Sequence, residues 1–222
     1  MNFDKHSLRL YAVTDRSWVG RQTLCQQVEA ALQGGVTCVQ LREKHLDRDA
    51  FLAEARQICA LCRRYGVPFI VNDDLDVALA CGADGIHVGQ DDMPAAEVRR
   101  RAGRRLIVGV SAHTPEEARL AEAAGADYLG AGAVFGSATK TDASLLTPAG
   151  LQAVCAAVHI PVVAIGGVNA GNILQLQGSG AAGAAVVSGI FGAPDITAAC
   201  RELRALADTM VQGGPPCRKE HL

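Results

Sequence analysis

Pro161-Val-Val-Ala-Ile-Gly-Gly-Val168 and Ala184-Ala-Val-Val-Ser-Gly189 are apolar runs that each break into a glycine turn, and both lie near the end of the chain. A short continuous apolar run bounded by turn residues reads as a strand buried on both faces, the habit of a parallel sheet. A doubly wound sheet is the rival arrangement, but it places its phosphate-binding glycines after the first strand. Glycine turns in succession at the end of the chain fit a closed barrel instead. There the loops after the seventh and eighth strands commonly hold a phosphate on backbone N–H groups.

The rest of the chain supplies the other units. Strands are expected over residues 8–14, 36–42, 68–72, 83–88, 106–110 and 127–133, in addition to 161–165 and 184–187. Helices are expected over 23–33, 49–65, 74–80, 94–102, 169–177 and 195–210, with two more opening at Thr114-Pro-Glu-Glu117 and Thr147-Pro148. Leu24, Val28 and Leu32 form one apolar stripe that Gly34-Gly35 terminates. Asp47 or Asp49 caps the second helix, Pro94 suits a first turn, and Thr114 followed by two acids is a capping signal. The stretches GGVTCVQL and AGADYLGAG echo one another at the join of helix to strand. Eight such units in 222 residues average about 28 residues each, which suits a single-domain (β/α)8, or TIM, barrel over residues 1–212. Residues 213–222, opening Gly-Gly-Pro-Pro, are expected to fray as a flexible tail.

Composition agrees with a globular chain. Hydrophobic residues make up 49% and charged residues 20%, enough apolar surface to exclude disorder. Lys+Arg 21 against Asp+Glu 23 leaves a formal net charge of -2, without the concentrated basic face that nucleic acid demands. Met1–Leu10 carries Asp4, Lys5, His6 and Arg9 rather than the apolar core of a signal peptide. No apolar stretch approaches the roughly 20 residues of a membrane span. The expectation is a cytoplasmic protein with no nucleic-acid or membrane partner. Cys59 and Cys62 form a C-x-x-C inside a helical stretch, with no second pair at matching spacing. They read as small apolar residues on buried helix faces.

Chemistry in such a barrel sits at the C-terminal ends of the strands. The second strand ends Val39-Gln-Leu-Arg-Glu-Lys44, where alternation puts Gln40 and Arg42 on one face and Lys44 beyond them. Lys44 is also readable as a solvated loop residue. Arg and Lys at one mouth make an anion site, with the Arg fork matched to phosphate oxygens. The third strand ends Val71-Asn-Asp-Asp74, and the fourth runs through His87 to Gly89-Gln-Asp-Asp92. Carboxylates crowded above neighbouring strands, about 4.8 Å apart, call for a hard cation. Mg²⁺ is typically held by one or two carboxylates plus substrate phosphates. Asp74 suits a helix cap, and His87 a hydrogen-bonded place in the barrel wall. The loop from Gly132 to Asp142 is rich in hydroxyls and carries Lys140, which suits a closing lid. Together these parts describe a diphosphate site beside a monophosphate site; a phosphosugar isomerase would need only the second.

From Leu10 to about Leu206 the chain resembles the thiamine phosphate synthases. The resemblance rests on VQLREK (39–44), VNDD (71–74), DGIHVGQDD (84–92), GVSAH (109–113), TKTD (139–142), IGGV (165–168) and VVSGI (186–190), in order. It implies a transferase that couples two small phosphorylated substrates, 4-amino-5-hydroxymethyl-2-methylpyrimidine diphosphate and hydroxyethylthiazole phosphate, to thiamine phosphate and diphosphate. It further implies that Gln40, Arg42, Lys44 and Asn72 hold the pyrimidine diphosphate and that Asp73 and Asp92 ligate Mg²⁺. Ser111 and Lys140 match positions at the pyrimidine and its departing diphosphate, giving Lys140, Arg42 and Ser111 catalytic roles. Ser137, Ala138, Thr139, Gly167, Val187 and Ser188 match the thiazole phosphate site. A homo-oligomer is compatible with this reading. The family often has Phe-Pro-Thr-x-Thr-Lys where this chain has Phe135-Gly-Ser-Ala-Thr-Lys140, which keeps a hydroxyl and loosens the loop. Two other readings are a thiazole tautomerase, which carries a histidine where Ala133 stands here, and an idle metabolite-binding barrel, against which the intact charged set argues.

Overall fold

A computed structural model of the chain describes residues 4–20, 22–136 and 146–213. Parallel strands close on themselves in chain order: β1 (Leu10–Val13), β2 (Cys38–Leu41), β3 (Phe69–Asn72), β4 (Gly85–Val88), β5 (Ile107–Ala112), β6 (Tyr128–Ala131), β7 (Val162–Ile165) and β8 (Gly183–Val186). β8 pairs back on β1, with Tyr11 beside Ala185. Helices pack outside: α1 (Leu24–Gln33), α2 (Arg48–Tyr65), α3 (Leu75–Cys81), α4 (Ala95–Ala102), α5 (Pro115–Ala123), α6 (Pro148–Ala157), α7 (Ser188–Phe191) and α8 (Ile196–Gln212). The (β/α)8 barrel expected from the sequence is the fold.

The helix starts follow their caps. Thr23 closes a capping box with Gln26, and Asp47 caps α2 by accepting the Ala50 N–H at 2.9 Å. Thr114 and Thr147 each precede a proline in the first turn. The echoed joins have a physical cause. Thr37 Oγ1 accepts the Leu10 N–H at 2.9 Å, Asp84 the Phe69 N–H at 2.9 Å, and Asp127 the Val108 N–H at 2.8 Å. In each case the residue entering one strand satisfies an N–H at the start of the strand before it, that of the first residue in β1 and β3 and of the second in β5.

Two expectations fail locally. The helix expected over 169–177 is a single 3-10 turn, Ile173–Leu176. Asn172 Oδ1 accepts the Asn169 N–H and Asn169 Oδ1 the Gly171 N–H, so both side chains satisfy local donors in a loop geometry instead of a helix. Leu8, expected in the first strand, ends a 3-10 turn, Lys5–Leu8. The tail expected to fray lies, from residue 214 onward, outside the described residues.

The core has two layers. Leu10, Ala12, Val39, Leu41, Phe69 and Val71 face outward against the helices. Tyr11, Val13, Cys38, Ile70, Ile107, Tyr128, Val163 and Ala185 fill the barrel. Each fully buried Leu, Ile or Phe contributes about 1.5–3 kcal/mol. Cys59 and Cys62 are buried free thiols on α2, as expected, and burial pushes the Cys62 thiol up to about 12. Among the described residues no helix is long and apolar enough to cross a membrane.

Candidate active site

Inward-facing positions change from apolar to polar toward the C-terminal ends of the strands. Gln40 follows Cys38, Asn72 follows Ile70, and Ser111 follows Ile107 and Gly109, each two residues along one face. Gln40, Arg42, Asn72, Ser111, Gly167, Val187 and Ser188 line one cavity at that end, whereas Lys44, Asp73 and Asp92 are not part of its lining and Asp73 borders a separate depression with Met93 and Arg101. Gln40 and Asn72 are buried; Arg42 is half-buried and Ser188 exposed. Ser137, Ala138, Thr139 and Lys140 lie outside the described residues.

Arg42 is aimed by its neighbours. Thr14 Oγ1 accepts its backbone N–H at 3.0 Å, and the Asp15 carboxylate lies 3.5 Å from its guanidinium. Burial works to raise the Asp15 carboxyl, but the hydrogen bonds to Ser17 and the Arg42 charge outweigh it and hold the group below the ordinary range. Lys44 follows the buried Glu43, which accepts the Lys44 and His45 N–H groups at 2.8 Å each. Arg16 reaches Glu43 at 2.6 Å and Glu54 at 2.6 Å, tying this loop to α2. Burial again works upward on Glu43, and the His45 N–H, Arg16 and the Lys44 N–H hold its pKa below the usual value.

The carboxylates gather as expected. Lys44 Nζ bonds Asp73, and Asp73 is hydrogen-bonded to Asp92. Asp92 also accepts the Gly89 N–H at 2.7 Å. Burial and the neighbouring Asp92 push the Asp73 pKa up, against the pull of Lys44. Asp73 sits at φ 64, a left-handed backbone rarely adopted by a residue with a side chain, and its N–H donates to the His87 carbonyl at 2.8 Å. Two acidic groups forced into contact, with only oxygen donors, fit a hard divalent cation completed by phosphate oxygens. No group of three or more His, Cys, Asp or Glu able to hold a metal occurs among the described residues. Asp74 is not part of this pair. It caps α3, accepting the Val77 N–H at 2.8 Å.

The turn after β7 is shaped by close backbone packing. Gly166 and Gly167 have φ 100 and 67, and a Cβ on Gly167 would lie 2.1 Å from the Gly136 carbonyl oxygen. Asn169 and Asn172 both donate to the Gly167 carbonyl, at 3.1 and 2.9 Å. The glycine is thus required by the neighbouring loop before any ligand is considered. Ser188, the first residue of α7, follows the turn after β8.

Sequence reading missed Thr14, Asp15 and Glu43, which support the cations, and it missed Tyr11 and Tyr128. These two phenols meet in the barrel centre at 2.8 Å, under Gln40 and His87. The available signal was the alternation that puts Tyr11 on the same inward face as Val13, the register partner of Gln40. His87 is hydrogen-bonded within the barrel wall, as expected.

A family profile described as thiamine monophosphate synthase matches residues 10–190. A thiamine-phosphate synthase from Chloroflexus aurantiacus is 51% identical over 199 residues, covering 89% of this chain and 92% of that protein. Another from Ruminiclostridium cellulolyticum is 47% identical over 194 residues, covering 87% and 92%. Among solved structures, a thiamine phosphate pyrophosphorylase from Pyrococcus furiosus is similar with a TM-score of 0.87 at 39% identity, covering 93% of this chain and 98% of that one. The agreement spans the barrel and every motif at its mouth that lies between residues 10 and 190. The chain belongs to the thiamine monophosphate synthase family.

Proposed function

We propose that this barrel joins 4-amino-5-hydroxymethyl-2-methylpyrimidine diphosphate to hydroxyethylthiazole phosphate, releasing diphosphate and forming thiamine phosphate. It is a transferase of thiamine biosynthesis. The observation that carries the reading is one cavity that unites Arg42 with a neutral glycine turn, while Asn72 on its wall leads directly into Asp73, which is bonded to Lys44 and Asp92. One corner suits a diphosphate with its cation, and the other a monophosphate.

Arg42 and Lys44 bind the diphosphate, while Gln40, Asn72 and Ser111 orient the pyrimidine. Gly167, Val187 and Ser188 receive the thiazole phosphate, with Ser137, Ala138 and Thr139. Asp73 and Asp92 would hold Mg²⁺, which when bound neutralises charge on the departing diphosphate. The bond between the methylene carbon and the diphosphate oxygen breaks, and the thiazole nitrogen forms the new bond to that carbon. The electron-rich aminopyrimidine stabilises the cationic methylene, so no strong base or nucleophile is needed from the protein. The work of the side chains is to neutralise the leaving group, with Lys140 joining Arg42, and to hold the thiazole nitrogen within attack distance.

Calorimetry with each substrate separately tests this division. Arg42→Ala should weaken pyrimidine diphosphate binding by roughly tenfold to a hundredfold and leave thiazole phosphate affinity within about a factor of two. Withholding Mg²⁺ should act on the same ligand only. Loss of thiazole phosphate affinity with the pyrimidine diphosphate unaffected would mean that the sites are assigned the wrong way round.

A further inference from the structure

Two inward glycines leave room across the barrel for a row of polar side chains of which the proposed coupling step uses only the two ends, Gln40 and Ser111. A Cβ on Gly109 would lie 2.2 Å from the Tyr128 ring, and one on Gly130 would lie 3.1 Å from the His87 ring. Through this space Gln40 Nε2 donates to Tyr11 Oη at 2.8 Å, and the Tyr11 and Tyr128 hydroxyls meet at 2.8 Å. Tyr128 Oη lies 3.0 Å from His87 Nδ1, and His87 Nε2 lies 3.0 Å from Ser111 Oγ. Side chains from β2, β1, β6, β4 and β5 are thereby joined end to end. Burial pushes both phenols well above their ordinary pKa, so each keeps its proton.

The direction of the chain follows from Tyr11. Its oxygen accepts from Gln40, and of the two acceptors within reach of its own proton the Tyr128 hydroxyl at 2.8 Å is far stronger than the Cys38 sulfur, so the proton goes to Tyr128. Tyr128 then donates to His87 Nδ1. His87 carries its proton on Nε2 and gives it to Ser111 Oγ, which leaves the Ser111 proton for the mouth. At the other end Gln40 gives one of its two Nε2 hydrogens to Tyr11, which keeps Oε1 off Tyr11 and available to the mouth as an acceptor. One end offers an acceptor and the other a donor. Turning Gln40 over, or making Ser111 donate to His87, requires every proton in the row to turn together.

We propose that Tyr11, Tyr128 and His87 are positioning residues, a directional hydrogen-bond chain that fixes Gln40 as acceptor and Ser111 as donor and so selects a ring with an exocyclic amino group beside an accepting ring nitrogen. The inference rests on the function proposed above, because an aminopyrimidine is such a ring. Its 4-oxo counterpart presents the reverse pattern, a carbonyl beside a ring N–H.

Tyr128→Phe cuts the row in its middle and leaves both ends chemically intact. Calorimetry with the 4-amino pyrimidine diphosphate and its 4-oxo counterpart, with Mg²⁺ and without thiazole phosphate, reads the selection. The unaltered protein should prefer the amino ligand by roughly a hundredfold or more. Tyr128→Phe should lower that preference about tenfold, because each end then turns independently, and thiazole phosphate affinity should not change. An unchanged preference in the folded variant overturns the chain, and Tyr11→Phe, which cuts one link earlier, must show the same loss. Nitrogen NMR of the unaltered protein with labelled histidine reads the direction without any substitution. His87 should show an unprotonated Nδ1 and a protonated Nε2, and the opposite tautomer overturns the assignment. If the unaltered protein binds neither pyrimidine, the proposed function fails and with it the selection, while the tautomer still decides whether the chain runs as described.

Discussion

Glu43 shows how a single charge at the mouth acts without touching a ligand. Its buried carboxylate gathers the Lys44 and His45 N–H groups and the Arg16 guanidinium. Its folded pKa is depressed below the unfolded value, so the ionised form stabilises the fold. That contribution is complete above the ordinary glutamate range and is lost as pH falls through the depressed folded value. Glu43→Gln should therefore be less stable than the unaltered chain at neutral pH, and the gap should close in acid. Chemical denaturation across pH measures it, and a gap constant with pH would show that the charge plays no part. Gln40 and Arg42 were legible in the sequence because a polar residue on the inner face of a barrel strand has no solvent to meet. Glu43 was not, since its partner Arg16, which also bonds Glu54, is distant in sequence. Tyr11 and Tyr128 read as ordinary core aromatics, and only closure of the barrel sets β1 opposite β6.

At the scale of elements, the barrel is held in register at its lower rim by side chains that cap strands. Asp127 accepts the Val108 N–H at 2.8 Å and pairs with Arg99 at 2.5 Å. Asp127→Ala leaves that strand donor without its acceptor and should cost about 1–3 kcal/mol. Hydrogen exchange at the Val108 amide should speed up more than at the Leu10 amide, which Thr37 still caps. Equal change at both would assign the loss to general destabilisation. The repeated join GAD in AGADYLGAG carried this device in plain sight, but sequence alone did not say which N–H the aspartate met. The 3-10 turn at Ile173–Leu176 was illegible for a related reason. Its apolar spacing suits a helix, and the outcome turns on asparagine side chains that satisfy backbone donors locally.

Across the whole molecule, parallel closure brings the ends of all the strands to one rim, so residues as distant in sequence as Arg42 and Ser188 line the same cavity. A barrel that couples two phosphorylated molecules needs that convergence, whereas an isomerase acting on a thiazole phosphate alone has no use for the cationic and carboxylate corner. The order of strands and glycine turns made the architecture legible, because each unit repeats the same pattern of run, turn and helix. The most direct test of the account is incubation with both substrates and Mg²⁺, following every phosphorylated species by mass spectrometry. The account predicts thiamine phosphate and diphosphate in equal amounts, with no product when either substrate is omitted and none when EDTA removes the metal. Rearrangement of the thiazole phosphate alone, with the pyrimidine diphosphate untouched in the full mixture, would contradict it.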